Sequence, residues 1–208
     1  MLVRANGLFG QVLVVGRRFT GQDGDKWTNR FNQFKRGEAP AVRAGVFTLV
    51  AALAELPVPN GPIMVLGVPG SADRALRLNS PVYYLAQGIA MRWRGTFNGT
   101  MIAKDPHDPI HNSTSAAKRN AVLDTANYRS TETHPNVRTF VIIDDLVTRG
   151  DTMTRIRQVI GGAHQEAQFV FIALAQTERL SYYREHNWPE PNNNEADKYE
   201  DVWTTNYR

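Results

Sequence analysis

The hydrophobic pattern divides the chain into short apolar segments separated by longer stretches with helical periodicity. Four segments lack the polar alternation of a half-exposed strand and are typical of strands covered on both faces, as in a parallel sheet. They are 11–15, 63–68, 140–143 and 168–175. Because helix-like stretches lie between them, the pattern predicts an α/β domain, with a central, mostly parallel sheet and helices on both faces. A small hood of terminal segments is expected to cover its functional site.

The helical stretches begin and end at recognisable residues. Aromatic residues at helical spacing predict a short helix that begins near Asp25 and is closed by Gly37 and Pro40. These aromatic residues are Trp27, Phe31 and Phe34. Ser80 is expected to cap another helix, with Pro81 at its first position. The remaining predicted elements are a short strand at 97–103 and helices at about 42–56, 81–93, 115–127 and 153–160.

The apolar segment 140–143 ends abruptly in two adjacent carboxylates, Asp144 and Asp145. Open α/β sheets bind ligands at the carboxyl ends of their strands, so this position is a candidate site. The loop Thr148–Thr152 follows, and it can direct backbone N–H groups and two hydroxyls at an anion over the positive end of the next helix. Two carboxylates beside an anion-binding loop suit a ligand with neighbouring hydroxyls and a phosphate, such as ribose 5-phosphate.

This stretch resembles the ribose-phosphate-binding signature of the type I phosphoribosyltransferases, in which two acidic residues and then Thr-x-Gly-x-Thr follow an apolar strand. The resemblance implies that Asp144 and Asp145 are the catalytic pair that holds the ribose hydroxyls. It also implies that the loop holds the 5′-phosphate through Thr148, Arg149, Gly150, Asp151 and Thr152. Asp151 departs from the family, where a neutral residue is common, and it adds negative charge near a phosphate unless it caps the following helix. Arg149 also departs, because a small residue is common there.

An earlier strand-loop-helix unit, 63–93, resembles the pyrophosphate loop of the same family. The resemblance implies backbone N–H contacts to pyrophosphate from a loop of small residues, with one of two arginines as the cationic partner. The loop residues are Gly70, Ser71, Ala72 and Asp73, and the arginines are Arg74 and Arg77. The alternative interpretation is that both arginines are solvated loop charges.

The segment 104–111 is predicted to be an exposed loop. Type I phosphoribosyltransferases carry a mobile flap in this part of the chain, here about 95–115, which closes over the reactive centre and excludes water. The resemblance implies that the flap supplies cations, for which the candidates are Lys104, Lys118 and Arg119.

His107 and His111, with aspartates nearby, suggest a metal site only if a helix aligns them. Prolines in the same stretch break such a helix, so the sequence argues against this site. The cofactor that the resemblance implies is Mg²⁺, and substrate oxygens are expected to hold most of it, so no protein ligand for the metal is assigned.

The C-terminal residues 176–208 are polar but contain several tyrosines and tryptophans. Disordered segments usually lack aromatic residues, so part of this tail is expected to pack on the domain or on a second subunit. The predicted organisation is therefore one domain, 1–175, followed by the tail. Looser matches along the chain are similar to the competence-protein F (ComF-like) branch of the family. They are Trp27–Lys35, Val68-Pro69, Arg77 with Asn79, Leu85-Ala86 and Leu174-Ala175.

Composition narrows the function classes. The chain has no cysteine, which excludes a disulfide framework, a thiolate metal site and a cysteine nucleophile. No apolar run is long enough for a membrane span and the N-terminus does not resemble a signal peptide, so a cytoplasmic protein without membrane contact is expected. The formal net charge of +4 permits contact with nucleic acid without indicating it.

The leading hypothesis is an enzyme, a phosphoribosyltransferase that binds phosphoribosyl pyrophosphate and Mg²⁺. It would transfer ribose 5-phosphate to a nucleobase or an amine and release pyrophosphate. Two alternatives stay open: a regulatory protein that binds phosphoribosyl pyrophosphate or a nucleotide without turnover, and a ComF-like accessory of DNA uptake or repair. A homodimer is plausible if aromatic residues of the tail are exposed.

Overall fold

The structure, a computed structural model, describes residues 2–6, 10–20, 25–109 and 115–207. Its strands are β1 (Leu2–Asn6), β2 (Gly10–Thr20), β3 (Ile63–Gly67), β4 (Thr96–Phe97), β5 (Ile102–Ala103), β6 (Arg129–Ser130), β7 (Thr139–Val147) and β8 (Gln168–Arg179). Its longer helices are α1 (Lys26–Lys35), α2 (Ala39–Leu53), α3 (Pro81–Trp93), α4 (Ala116–Thr125) and α5 (Asp151–Gly161). Three short helices follow, α6 (Leu180–Glu185), α7 (Asn194–Asp197) and α8 (Glu200–Asn206).

The central sheet has the strand order β1-β2-β8-β7-β3-β4. Strand β3 pairs in parallel with both β4 and β7, while β1 pairs antiparallel with β2. Strands β5 and β6 form a separate antiparallel pair. This topology confirms the predicted α/β class, a mostly parallel sheet with helices around it. In the described parts of the chain, no helix has the length and apolar character needed to cross a bilayer.

The strands predicted from apolar runs are the buried core of the sheet. All five residues of β3 are buried, as are the first five of β7, because parallel strands are covered on both faces. Helix α3 begins where its capping signals predict, since the Ser80 hydroxyl accepts a hydrogen bond from the backbone N–H of Tyr83 at 3.2 Å. Its observed bounds match the prediction.

Chain contacts divide the protein into two compact units. The first contains residues 1–57, 144–149 and 172–208, so both terminal segments belong to it. The C-terminal helix α8 packs there against α1 and α2. The Trp203 ring lies 5.6 Å from that of Trp27 in an edge-to-face arrangement, and Tyr199 donates a hydrogen bond of 2.7 Å to Glu55. Part of the tail thus packs against the N-terminal helices, as expected, whereas the predicted division into a domain at 1–175 and a tail stays a prediction.

The second unit contains residues 58–143 and 150–171, and it includes β3, α3, α4 and α5. Its strands β3 and β7 are in register from Ile63 opposite Thr139 to Gly67 opposite Ile143. The backbone N–H of Val68 then donates to the carbonyl oxygen of Ile143 at 2.8 Å, which fixes where the loop after β3 begins.

Several predicted boundaries are wrong. Pro40 does not close α1, because it lies in the first turn of α2, where its missing N–H costs no helical hydrogen bond. The single strand predicted at 97–103 is two separate short strands, β4 and β5, interrupted by the turn at Asn98–Thr100. Strand β7 does not end before the aspartates but continues to Val147, and β8 extends to Arg179.

Candidate functional site

The two adjacent aspartates lie within β7, in the first unit. The carboxylate Oδ1 of Asp144 accepts a hydrogen bond of 2.8 Å from the backbone N–H of Asp145. The carboxylate of Asp145 lies 3.8 Å from the ammonium of Lys35, at the C-terminal end of α1. Both aspartates are half-buried, and both remain accessible enough to accept hydrogen bonds from a ligand. The sequence offered no signal for Lys35, since the pairing depends on how α1 packs.

Within the acidic pair, the protonation equilibrium of Asp144 is shifted. Burial, and then the neighbouring charge of Asp145, raises the pKa of Asp144 well above its ordinary value. The ammonium of Lys35 opposes this rise but does not cancel it. A carboxyl group with these properties accepts hydrogen bonds from hydroxyls, and its negative charge is stabilised when a polar ligand or a cation arrives.

The loop after β7 begins with two exposed residues, Thr148 and Arg149. The hydroxyl of Thr148 donates a hydrogen bond of 3.1 Å to the hydroxyl of Thr177 on β8, also in the first unit. This contact holds the side chain of Thr148 against the neighbouring strand.

Gly150 begins the part of the loop that lies in the second unit. Its φ of 81° and ψ of 11° are left-handed, which glycine adopts without the steric cost that other residues incur. Its carbonyl accepts the first hydrogen bond of α5, from the N–H of Thr154 at 2.9 Å. No side chain in the described part of the chain caps this helix, so the N–H groups around Asp151 and Thr152 are directed outward at its positive end.

Asp151 does not act as the cap considered from the sequence, because it is the first residue inside α5. Its carboxylate instead lies 3.3 Å from the guanidinium Nε of Arg119, on α4. The added negative charge in the loop is therefore paired. Nothing local in the sequence indicates this pair, since the two residues are far apart in the chain.

The loop predicted to bind pyrophosphate follows β3. The N–H of Asp73 donates to the carbonyl of Gly70 at 3.0 Å and closes a turn. Gly70 and Ala72 are exposed, while Ser71 and Asp73 are half-buried. The side chains of Arg74 and Arg77 are both exposed, so either can approach an anion.

Lys104 supports this loop from inside the protein. It is completely buried, and its ammonium donates to the carbonyl oxygens of Ser71 at 2.8 Å and of Asp105 at 3.4 Å. Burial lowers the pKa of Lys104, and the nearby carboxylates of Asp73 and Asp105 raise it in opposition. The prediction of an exposed loop is wrong at Lys104, because hydrogen bonds with the β3 loop draw this lysine inward.

The other flap candidates differ in their surroundings. Lys118 is an exposed residue of α4, whereas Arg119 is buried and paired with Asp151. His107 donates its backbone N–H to the carbonyl of Ser71 at 3.0 Å. His111 lies outside the described residues, so the arrangement of the two histidines is not addressed. In the described ranges, no group of three His, Asp or Glu residues is arranged to hold a metal ion.

Comparison with known proteins gave matches among solved structures only; no family model and no curated protein matches the chain. One match is the allosteric regulatory enzyme of purine biosynthesis, with 15% identity and a TM-score of 0.37 over 66% of this chain and 25% of that one. The chain thus spans a quarter of that enzyme's length.

Two further matches are nucleobase phosphoribosyltransferases. Adenine phosphoribosyltransferase from Trypanosoma brucei, in complex with AMP, pyrophosphate and ribose-5-phosphate, has 15% identity and a TM-score of 0.40, over 83% of this chain and 68% of that one. Hypoxanthine phosphoribosyltransferase from Staphylococcus aureus has 11% identity and a TM-score of 0.38, over 66% of this chain and 64% of that one.

Proposed function

We propose that this protein is a phosphoribosyltransferase, which binds phosphoribosyl pyrophosphate and transfers its ribose 5-phosphate to a nucleobase or an amine with release of pyrophosphate. The observation that carries the proposal is the acidic pair on β7, followed directly by a loop whose left-handed glycine opens an uncapped helix. Carboxylates suit a vicinal diol, and an uncapped helix N-terminus suits a phosphate. The ComF-like branch remains a prediction from the sequence.

Each group has a distinct task in the proposed reaction. Asp144 and Asp145 accept hydrogen bonds from the ribose 2′- and 3′-hydroxyls, and their negative charge stabilises the oxocarbenium-like state that forms at C1. The loop Thr148–Thr152 holds the 5′-phosphate. Backbone N–H groups of Gly70–Asp73 hold the pyrophosphate, with Arg74 or Arg77 as its cationic partner.

The residues fit the Mg²⁺ that this chemistry implies. Magnesium is usually held by one or two carboxylates together with substrate phosphates, so the lack of a three-residue ligand group in the described ranges is compatible with it. Asp144 and Asp145 are the carboxylates best suited to contact it. When bound, the ion would neutralise charge on the departing pyrophosphate.

Calorimetric titration of phosphoribosyl pyrophosphate with Mg²⁺ tests the proposal. The protein should bind, and an Asp144→Asn, Asp145→Asn double variant should lose binding. An Asp197→Asn, Asp201→Asn variant is the matched control, since it removes two exposed carboxylates from the tail of the same unit. Absence of binding to the folded wild-type protein would refute the proposal.

A second candidate is a protein that binds phosphoribosyl pyrophosphate or a nucleotide without turnover. The burial of Lys104 favours it, because a lysine held by the Ser71 carbonyl is not free to act as a mobile flap cation. A screen for pyrophosphate release with nucleobases and amines separates the two functions. Release that depends on an acceptor indicates the transferase, and binding without release indicates the sensor.

A further inference from the structure

The ion pair between Arg119 and Asp151 places a guanidinium beside the N-terminus of α5. The side chain of Arg119 is only 10% exposed, and its Nε lies 3.3 Å from Oδ2 of Asp151, the first residue of that helix. The backbone holds Arg119 in the first turn of α4, where its N–H donates to the carbonyl of Ser115 at 3.1 Å. A nearly buried cation therefore lies next to the positive end of a helix.

Asp151 uses only one of the donors of this guanidinium. Arginine carries five N–H donors, and four of them are on Nη1 and Nη2. Among the described residues, neither of these nitrogens has a hydrogen-bond partner, although the side chain is nine-tenths buried. The donors on Nη1 and Nη2 are therefore available to an anionic ligand.

The charges at this point favour an anion. Arg119 and Asp151 cancel each other, and the uncapped N–H groups of α5 leave a partial positive charge. A phosphate monoester dianion could accept from those N–H groups and from the Nη1 and Nη2 fork together, which is a strong bidentate arrangement. Inorganic phosphate and ribose 5-phosphate share this chemistry.

We propose that Arg119 is a phosphate-binding residue that acts with the Gly150–Thr152 loop, and that Asp151 is the positioning residue that orients it. This inference rests on the proposed function and refines it, because it moves Arg119 from the flap to the 5′-phosphate. It also gives Asp151 a reason to stand in an anion-binding loop. An aspartate there attracts the arginine that the phosphate needs.

The same two helices supply a matched control. Arg155 of α5 forms an ion pair with Asp124 of α4, and this pair lies more than a helical turn from Gly150. An Arg155→Gln variant removes an arginine and an ion pair between α4 and α5 but leaves the N-terminus of α5 unchanged. This control therefore shows how the loss of an ion pair between the two helices changes ligand affinity when the proposed phosphate contact is kept.

Calorimetric titration of the full chain with ribose 5-phosphate, and separately with pyrophosphate, tests the proposal. Arg119→Gln should weaken ribose 5-phosphate roughly 10- to 100-fold, the effect of removing a hydrogen bond between charged groups, and should change pyrophosphate affinity less than about threefold. Arg119→Lys should recover part of the loss, and Arg155→Gln should change neither affinity. In an Asp151→Asn background, Arg119→Gln should cost less than in the wild type, because an unpositioned arginine contributes less.

Three results would overturn the inference. Unchanged ribose 5-phosphate affinity in folded Arg119→Gln would exclude the phosphate contact. If Arg119→Gln lost affinity for pyrophosphate but not for ribose 5-phosphate, Arg119 would instead act as a flap residue. Equal losses of ribose 5-phosphate affinity in Arg119→Gln and Arg155→Gln would show that the ion pair between Arg119 and Asp151 serves only the packing of α4 against α5. If the wild-type protein binds neither ligand, the proposed function itself fails, which is a distinguishable outcome.

Discussion

Replacing Lys104 with methionine separates the contribution of this lysine to stability from its contribution to ligand binding. The lysine is fully buried, and its ammonium donates to the Ser71 carbonyl in the loop proposed to bind pyrophosphate. Methionine has a similar length and fills the same space without a charge. The substitution therefore removes one hydrogen bond and one positive charge and leaves the packing nearly intact.

Two opposing effects set the expected change in the free energy of unfolding. Loss of a hydrogen bond to a charged group costs about 1.5–3 kcal/mol. The Ser71 carbonyl is not left unsatisfied, because the N–H of His107 also donates to it at 3.0 Å. Burial lowers the pKa of Lys104, which means that the native protein is destabilised by holding the charge, and methionine removes that cost. The net destabilisation at pH 7 should be at most about 1.5 kcal/mol.

Urea unfolding at pH 7 and pH 10, with Lys118→Met as the exposed-lysine control, measures this balance. The pKa of Lys104 in the folded protein is below its unfolded value of 10.5. As the pH rises toward 10, the unfolded chain therefore binds more protons at this lysine than the folded protein does. The wild-type protein should thus gain stability relative to Lys104→Met as the pH rises through this window. Pyrophosphate affinity should fall about tenfold, since the charge behind the loop is gone.

A destabilisation above about 3 kcal/mol with unchanged pyrophosphate affinity would refute this reasoning. Lys104 would then serve the packing of the protein, and the loop after β3 would not depend on its charge. A parallel loss of pyrophosphate affinity in Lys118→Met would instead indicate that this flap candidate also contacts the pyrophosphate, or that the net charge of the protein acts at long range.

Three further substitutions test other parts of the structure. Asp144→Asn should raise the free energy of unfolding by about 1 kcal/mol at pH 7 and leave it unchanged below about pH 4. The reason is that the pKa of Asp144 is raised in the folded protein, so ionisation of this carboxyl group lowers stability. Urea unfolding at both pH values checks this. Glu200→Gln should destabilise the protein at pH 7, because hydrogen bonds, the first from Arg30, lower the pKa of Glu200 from 4.5 to about 2. That lowering corresponds to about 3.4 kcal/mol, or about 1–2 after solvent screening, and thermal unfolding should show the difference disappear as the pH falls toward 2. Gly150→Ala should cost about 1–2 kcal/mol and weaken ribose 5-phosphate binding, because its φ is 81°, whereas Gly162→Ala, at φ −56°, should do neither in calorimetry and unfolding.

The sequence predicts well those elements whose ends are set by residues next to them in the chain. Helix α3 has its predicted bounds because Ser80 and Pro81 act on the first turn directly. The buried strands β3 and β7 follow from apolar runs that only a doubly covered strand explains. The lengths of β7 and β8 were underestimated, because pairing with a neighbouring strand keeps polar residues such as Asp144 and Gln176 extended.

The site was only partly predictable for a related reason. The aspartates and the glycine loop form a contiguous motif, so the sequence locates them without a structure. The burial of Lys104 depends on Ser71, and the role of Asp151 depends on Arg119, and each partner lies about thirty residues away in the chain. Contacts over such a separation leave no local pattern, so the exposed-loop and helix-cap interpretations were reasonable on local grounds and wrong.

The first unit is built from segments that lie far apart in the chain, and this constrains the order in which the protein folds during synthesis. Its N-terminal segment ends at Pro57, but its last segment, with most of β8 and the helices α6 to α8, begins only at Ile172. At ribosomal rates of about 5–20 residues per second, the early segment waits about 6–23 s for the first of these partners, and longer for α8. During that time aromatic residues such as Trp27, which α8 later covers, lack their native contacts. The early segment is therefore exposed to aggregation until these partners have been synthesised.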